Sequence, residues 1–216
     1  MNGRALLAEG VGSFFLFACV IGSGIMATNL SQGNDAIALL GNTLATGAML
    51  FVLITMFGPI SGAHFNPAVS LVAASRGNLT WRVALAYISV QLGFGILGAW
   101  AAHLMFDLPT LQLSVKARTG LGQWVGEAIA TFGLILTILG TVRHRPQWVP
   151  ASVALYITAA YWFTSSTSFA NPAITIARSL SDTFAGIAPH DVPLFVLAQL
   201  VGAALAAAVS RLLFDG

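Results

Sequence analysis

The tripeptide Asn-Pro-Ala occurs twice in the sequence, as Asn66-Pro67-Ala68 and as Asn171-Pro172-Ala173. Asparagine is a preferred N-cap of an α-helix, and proline is preferred at the first helical position, where its missing N–H costs nothing. The apolar run after each copy is too short to cross a bilayer, and the first is expected to end near residue 75. The pattern predicts two short helices that begin at membrane depth, each with an asparagine amide at its start that can donate hydrogen bonds to a small molecule's oxygen.

Two carboxylates fall inside apolar stretches, Glu9 and Glu127. An ionisable side chain at membrane depth is expensive and usually functional. We favour a structural role, in which each carboxylate accepts hydrogen bonds from backbone N–H groups of the irregular segment before a short helix. The alternative is proton coupling, and it is less favoured because neither glutamate has a basic partner nearby in sequence.

His64 lies two residues before the first Asn-Pro-Ala. We interpret it as a hydrogen-bonded anchor of its loop or as a group that lines an opening. A metal-ligand role is less favoured because no second ligand has a matching spacing. The sequence therefore predicts no metal site and no cofactor.

The composition is that of a membrane protein, with 57% hydrophobic residues, 7% charged residues and a mean hydropathy of +0.85. A soluble domain carries about 25% charged residues. Six apolar stretches approach the ~20 residues that are needed to span ~30 Å of hydrocarbon, and Gly58-Pro59 is expected to end the second. The predicted spans cover residues 5–28, 36–57, 81–106, 124–142, 148–164 and 192–214.

The sequence also contains an internal repeat. Residues 8–14 correspond to residues 126–132, and Gln91 corresponds to Gln199. Each half has three spans, which is an odd number, so the second half must be inverted relative to the first; inverted repeats of this kind are a known transport design. We expect one domain over residues 1–216, with halves at about 1–107 and 120–216.

The positions of the nine Lys and Arg residues predict the topology. With a cytoplasmic N-terminus, six lie inside and three outside, which favours cytoplasmic N- and C-termini. The basic residues are scattered among loops, so no nucleic-acid partner is expected. The inside set is Arg4, Arg76, Arg82, Arg143, Arg145 and Arg211, and the outside set is Lys116, Arg118 and Arg178.

These features together resemble the aquaporin and aquaglyceroporin (major intrinsic protein) family over essentially the whole chain. The resemblance rests on both Asn-Pro-Ala copies, on the two glutamates, on Gln91 and on the stretch 61–69. It implies an all-α membrane protein with six transmembrane helices and two re-entrant half-helices in an inverted repeat. It also implies a homotetramer in the lipid bilayer of the cell (inner) membrane, with one pore per subunit and with half-helix dipoles that converge on the pore centre.

In this family the narrowest point is an aromatic/arginine constriction made by four positions. By motif spacing they fall here on Thr46, Ala159, Ser168 and Ile174. Tyr161 or Trp162 could take the place of Ala159. Because the usual arginine position is occupied by Ile174, the expected filter is wide, uncharged and weakly polar.

Arg178 follows Ile174 by four residues and should lie on the same helix face, one turn further out. We expect it to line the outer vestibule or to pair with Asp182. A displaced filter arginine is the less favoured alternative, since residues 69–71 match residues 174–176 without a gap.

The run 169–187 resembles a bacterial aquaglyceroporin branch linked to arsenic resistance, in which an aliphatic residue replaces the filter arginine. The resemblance implies passive conduction of small neutral solutes: arsenite, methylated arsenicals, glycerol and water. A general water and glycerol facilitator and an ion-coupled secondary transporter remain alternatives. An enzyme is least supported, because the sequence offers no nucleophile–base pair and no metal cluster.

Overall fold

The computed structural model describes residues 2–214, which contain eight α-helices and two single turns of 3₁₀-helix. Met1, Asp215 and Gly216, which belong to the predicted domain 1–216, lie outside the described residues. The helices are α1 (Gly3–Leu30), α2 (Asp35–Ser61), α3 (Pro67–Ser75), α4 (Trp81–Met105), α5 (Leu121–His144), α6 (Val149–Phe163), α7 (Pro172–Ser179) and α8 (Val192–Phe214).

Each predicted span overlaps one of the helices, and the predicted fold class is confirmed. Five segments are long and apolar enough to cross a membrane: α1, α2, α4, α5 and Pro189–Phe214, in which a 3₁₀ turn precedes α8. The remaining span is α6, which has only 15 residues. The 3₁₀ turn Pro146–Trp148 extends it at its N-terminus.

The expected end of the second span at Gly58-Pro59 is wrong, because α2 continues to Ser61 with Pro59 inside it. Proline removes one backbone hydrogen bond, but membrane-spanning helices tolerate it because neighbouring groups and local adjustments satisfy the freed carbonyl. The helix ends instead at Gly62, which has φ 88° and donates its N–H to the Gly58 carbonyl. A left-handed cap of this kind favours glycine.

Both short helices form as the sequence predicts. α3 is capped by Asn66, whose Oδ1 accepts the N–H of Ala68 at 2.9 Å. α7 is capped by Asn171, whose Oδ1 accepts the N–H of Ala173 at 3.0 Å. The proline after each asparagine occupies the first helical position. Asparagine and proline thus fix the starting points of both helices.

The two halves of the chain repeat the same packing. α1 packs on α2 and α4, and α5 packs in the same way on α6 and α8. Contacts between α2 and α6 join the halves. The short helices α3 and α7 contact each other and the long helices around them.

In each half, a glycine allows close approach of the first and last long helices. The glycine lies on the first of these helices (α1) in one half and on the last (α8) in the other. In the first half a Cβ at Gly10 of α1 would lie 2.9 Å from the Phe94 ring of α4. In the second half a Cβ at Gly202 of α8 would lie 2.2 Å from the carbonyl oxygen of Ala128 of α5. Backbone cannot move aside as a side chain can, so the second contact is the more demanding one.

We expect Gly202→Ala to destabilise the protein by about 1–3 kcal/mol, because overpacking against backbone forces the helices apart. Gly93→Ala is the matched control, since a Cβ at Gly93 meets no atom within 4 Å. That control should be neutral or slightly stabilising. The measurement is the thermal denaturation midpoint of each purified variant in detergent, and equal midpoints for the two variants would contradict the close-approach argument.

Candidate functional site

A cavity of about 290 Å³ runs between the two halves and passes both Asn-Pro-Ala segments. Its lining extends from Asn78, just after α3, to Arg178 in the last turn of α7. The wall between these ends is mostly aliphatic. The aliphatic residues include Leu16, Val20, Leu50, Ile54, Leu134, Ile138, Val153, Ile157 and Ile174.

Asn66 and Asn171 cross-link the two segments at the middle of the cavity. Asn66 Nδ2 donates to the carbonyl of Ala170 at 2.7 Å, and Asn171 Nδ2 donates to the carbonyl of Phe65 at 2.8 Å. The two short helices therefore begin side by side, with their positive N-terminal ends at one place. A side-chain amide has two N–H donors, so each asparagine keeps one N–H beyond its cross-link, and both residues line the cavity.

Glu9 holds the first segment by four hydrogen bonds. Its Oε1 accepts from Ser61 Oγ at 2.6 Å and from the backbone N–H of His64 at 2.9 Å. Its Oε2 accepts from the backbone N–H of Phe65 and from Gln91 Nε2, both at 2.8 Å. The carboxylate is fully buried, and its contacts are those of a structural acceptor.

Glu127 holds the second segment in the same way. Its Oε1 accepts the backbone N–H of Phe169 at 2.8 Å, and its Oε2 accepts the backbone N–H of Ala170 at 2.9 Å. Gln199 Nε2 donates to the same Oε2 at 2.6 Å. Gln91 and Gln199, to which the sequence analysis assigned no contact, are thus partners of the two carboxylates.

His64 lines the cavity, and its Nδ1 lies 3.0 Å from Ser70 Oγ. Its ring packs edge-on against Tyr87, with the centroids 5.5 Å apart. Among residues 2–214, His, Cys, Asp and Glu form no group of three or more that could hold a metal ion. The contacts of His64 match those of a hydrogen-bonded loop residue that also faces the cavity.

Three of the four filter positions taken from the sequence lie on the cavity wall: Thr46, Ser168 and Ile174. The fourth, Ala159, is wrong, because its side chain is exposed on the outside of α6. Residues four apart share a helix face, and the α6 residues that line the cavity follow this spacing. They are Val149, Val153, Ile157 and Tyr161.

Tyr161 is therefore the α6 residue at this level of the cavity. Its hydroxyl donates to Thr46 Oγ1 at 3.4 Å. Trp162, the other alternative, is 49% exposed and points away. The α6 part of the cavity wall thus carries the phenol ring of Tyr161, one of the two alternatives to Ala159.

Arg178 lines the cavity on the α7 side, away from Asn78, and is only 2% exposed. Its guanidinium carbon lies 3.3 Å from the centroid of the Phe169 ring, and its Nε donates to the carbonyl of Ala185. The alternative of an ion pair with Asp182 is wrong, since Asp182 Oδ1 accepts the backbone N–H of Val115 instead. Arg178 thus lines the cavity without a carboxylate partner among residues 2–214, and its assignment to the outer vestibule stays a prediction.

The segment between the halves contributes a second buried arginine that the sequence analysis missed. Arg118 is 9% exposed, and its guanidinium donates to the carbonyls of Gly186 at 2.8 Å and Ser166 at 3.3 Å. Its guanidinium carbon lies 4.9 Å from the centroid of Phe169, the ring that also contacts Arg178. No local sequence signal marks this contact, because the partners are 48 or more positions away.

Lys116 lies beside these arginines, outside the membrane-spanning helices. Its Nζ donates to the carbonyl of Phe184 at 2.8 Å. Burial, together with the positive charges of Arg118 and Arg178, lowers the pKa of Lys116 to about 8 from its ordinary value of 10.5. Burial is the larger cause, and the two arginines add to it because they lie close enough to repel the charge of Lys116.

The lowered pKa of Lys116 predicts that stability rises with pH. Between about pH 8 and pH 10.5 the folded protein binds fewer protons at Lys116 than the unfolded chain does, so the free energy of unfolding increases as pH rises through this window. The measurement is the thermal denaturation midpoint against pH, compared with Lys116→Gln. The variant should show a shallower rise, and identical slopes would contradict the prediction.

Comparisons with known proteins agree with this geometry. The family model described as major intrinsic protein matches residues 1–166. The aquaglyceroporin AqpS of Rhizobium meliloti (strain 1021) is 56% identical over 98% of this chain and 91% of its own length. Nodulin-26 of Glycine max is 30% identical over 93% of this chain and 74% of its own length.

A solved structure shows the same fold. The X-ray structure of the aquaglyceroporin from Plasmodium falciparum superposes with a TM-score of 0.77 at 20% identity and covers 98% of both chains. The family model ends before the second Asn-Pro-Ala, but the Rhizobium relative extends over it. The chain therefore belongs to the major intrinsic protein family, whose members are integral membrane proteins that act as passive channels and not as enzymes.

Proposed function

We propose that the chain is a passive channel for small neutral hydroxylated solutes, with arsenite and methylated arsenicals as its characteristic substrates beside water and glycerol. The observation that carries the proposal is the cavity, which passes both asparagines between largely aliphatic walls. The 56% identity to a relative named an aquaglyceroporin supports the assignment to this solute class.

The centre of the cavity suits a neutral solute with hydroxyl groups. Asn66 and Asn171 offer N–H donors that replace part of the hydration that a solute oxygen loses on entry. The two helix N-termini give the same place a positive potential, which disfavours cations. Aliphatic walls offer no compensation to an ion that has lost its water.

The proposed filter consists of Thr46, Tyr161, Ser168 and Ile174. Isoleucine stands where the family usually has arginine, so the filter has neither the fixed charge nor the donors of a guanidinium at that position. An aliphatic residue at this position favours solutes larger than water. Arsenite fits, because at neutral pH it is an uncharged triol whose hydroxyl groups resemble those of a polyol.

The direct test is swelling and shrinkage of proteoliposomes by stopped flow under gradients of water, glycerol and arsenite. We expect flux of all three, linear in concentration and independent of ion gradients. Water and glycerol flux without arsenite flux would favour a general facilitator. Saturable flux that collapses without an ion gradient would favour a secondary transporter.

We also propose a homotetramer in the cell (inner) membrane with both termini in the cytoplasm. Exposed apolar side chains along the long helices, such as Leu85, Leu155 and Leu205, suit contact with lipid and with neighbouring subunits. The excess of basic residues on one side supports the orientation. Cross-linking in native membranes tests the tetramer, and reporter fusions to the C-terminus test the orientation.

A further inference from the structure

The guanidinium of Arg178 is buried with most of its hydrogen-bonding capacity unused. Its Nε donates to the Ala185 carbonyl, and among residues 2–214 its two terminal nitrogens have no hydrogen-bond partner. The side chain lines the outer end of the cavity. A guanidinium carries five N–H donors in a fixed fork, so four donors on the terminal nitrogens of Arg178 are available to a ligand.

The geometry of this guanidinium is fixed on two sides. The Phe169 ring lies against its face at 3.3 Å, and the Ala185 carbonyl holds its Nε edge. Phe169 is in turn contacted by Arg118, whose own donors go to the carbonyls of Gly186 and Ser166. Because the Ala185 carbonyl already occupies the Nε side of the guanidinium, a ligand can bind only at the side that carries both terminal nitrogens.

The positive charge here has no carboxylate in contact with it. Within the described part of the chain Arg178 forms no ion pair, and Lys116 and Arg118 add positive charge nearby. The field of Glu127 reaches the site, but its oxygens already accept three hydrogen bonds. A buried charge without a counter-ion is destabilising, so a small anion would be stabilised at this place.

We propose that the outer end of the cavity is a binding site for a small planar oxyanion, a carboxylate or nitrate, held end-on by the two terminal nitrogens of Arg178. Guanidinium and a planar oxyanion match in shape and form paired charge-assisted hydrogen bonds. The site is at the outer end of the proposed channel, so a bound anion obstructs the passage of neutral solutes. This consequence rests on the proposed function, whereas anion binding itself does not.

The test measures glycerol permeability of wild-type proteoliposomes with nitrate or chloride on both sides at one ionic strength. Nitrate is expected to lower the permeability in a saturable way, to about half when half of the sites are occupied. Chloride has the same charge without the planar fork, so it should act much less. If the wild type conducts glycerol and nitrate does not lower its glycerol permeability, the proposal is overturned.

Two variants test whether the effect of nitrate depends on Arg178. Arg178→Gln removes the charge and should weaken nitrate binding by about tenfold or more, because charge-assisted hydrogen bonds are lost. Arg178→Lys keeps a point charge but not the fork and should bind nitrate with intermediate affinity. If Arg178→Gln does not fold, the lysine variant decides alone, and wild-type affinity in either folded variant overturns the proposal.

A second measurement separates this proposal from the channel function. Ligand binding to the folded state raises the thermal denaturation midpoint of purified protein. Nitrate should raise the midpoint of the wild type above that in chloride, and it should not do so for Arg178→Gln. A wild type that conducts no glycerol but shows this shift contradicts the channel function and supports the anion site, whereas no shift in the wild type contradicts the anion site.

Discussion

Replacing Ile174 with arginine should remove most of the flux of glycerol and arsenite while water flux continues. Ile174 is 5% exposed and lines the cavity beside Thr46 and Ser168. A guanidinium at this position projects donors and charge into space that the isoleucine leaves to the solute. Glycerol flux should fall at least about tenfold, since ~1.4 kcal/mol of added barrier is enough for that change.

The new arginine would also stand one helical turn from Arg178. Like charges four residues apart on a helix repel each other, so we expect some loss of stability as well as of flux. Ile174→Leu is the matched control, because it conserves volume and adds no polar group. It should keep flux of all solutes. The comparison is made by stopped flow, with reconstituted protein amounts normalised.

Unchanged selectivity in Ile174→Arg would place the narrowest point elsewhere. The two side chains to test next are Tyr161 and Arg178, which line the cavity at the same end. Tyr161→Ala should then widen the path for large solutes, and Arg178→Gln should alter the response to anions. Each result identifies a different side chain as the constriction.

The fold could be predicted from the sequence because its signals are local. Apolar runs of the right length predicted the long helices, and Asn-Pro-Ala predicted both short ones with their caps at Asn66 and Asn171. The repeat further indicated how the two halves are related. These signals depend only on hydropathy, capping and spacing along the chain.

The α6 contribution to the cavity could not be predicted in the same way. α6 carries no motif that fixes which of its faces turns inward, so the sequence analysis chose Ala159, whereas Tyr161, two residues on, lines the cavity. A helix face repeats every three or four residues, and a two-residue error therefore moves a side chain to the opposite side. The spacing of four from Val153 through Ile157 to Tyr161 was the available signal.

The contacts of Arg118 and Arg178 with the Phe169 ring were beyond sequence reasoning for a different reason. The contacts of Arg118 join the segment between the halves to residues far along the chain. Arg118 meets Gly186, and its backbone N–H donates to Asp191 Oδ2 at 2.8 Å. Irregular segments have no periodicity from which a partner can be read. Only the three-dimensional structure shows that Arg118 and Arg178 both contact the Phe169 ring and so place two positive charges close together.

Glu127→Gln should destabilise the protein and abolish conduction. The carboxylate accepts hydrogen bonds from the N–H groups of Phe169 and Ala170 and from the Gln199 amide. A glutamine has one acceptor oxygen, and its NH₂ group would face one of these donors. Leaving a buried donor without an acceptor and losing charge-assisted bonds should lower the free energy of unfolding by about 2–4 kcal/mol.

The backbone of this segment explains why conduction should be lost as well. Ser168 has φ 49° and Ala170 has φ 47°, a left-handed conformation that costs L-residues of order 1–3 kcal/mol each. The bonds to Glu127 hold this conformation and so fix the position of Asn171. Without them the segment relaxes, and the asparagine no longer faces its partner across the cavity.

Asp182→Asn is the matched control for Glu127→Gln. Asp182 also accepts a backbone N–H, that of Val115 at 3.1 Å, but it is exposed. The same chemical change should therefore cost less than about 1 kcal/mol there, because water replaces the lost acceptor. Thermal denaturation in detergent and glycerol flux are measured for both variants. If wild-type flux responds to a proton gradient and a stable Glu127→Gln protein conducts without that response, the pair of results would instead favour proton coupling, because a purely structural carboxylate cannot be replaced without loss of the loop it holds.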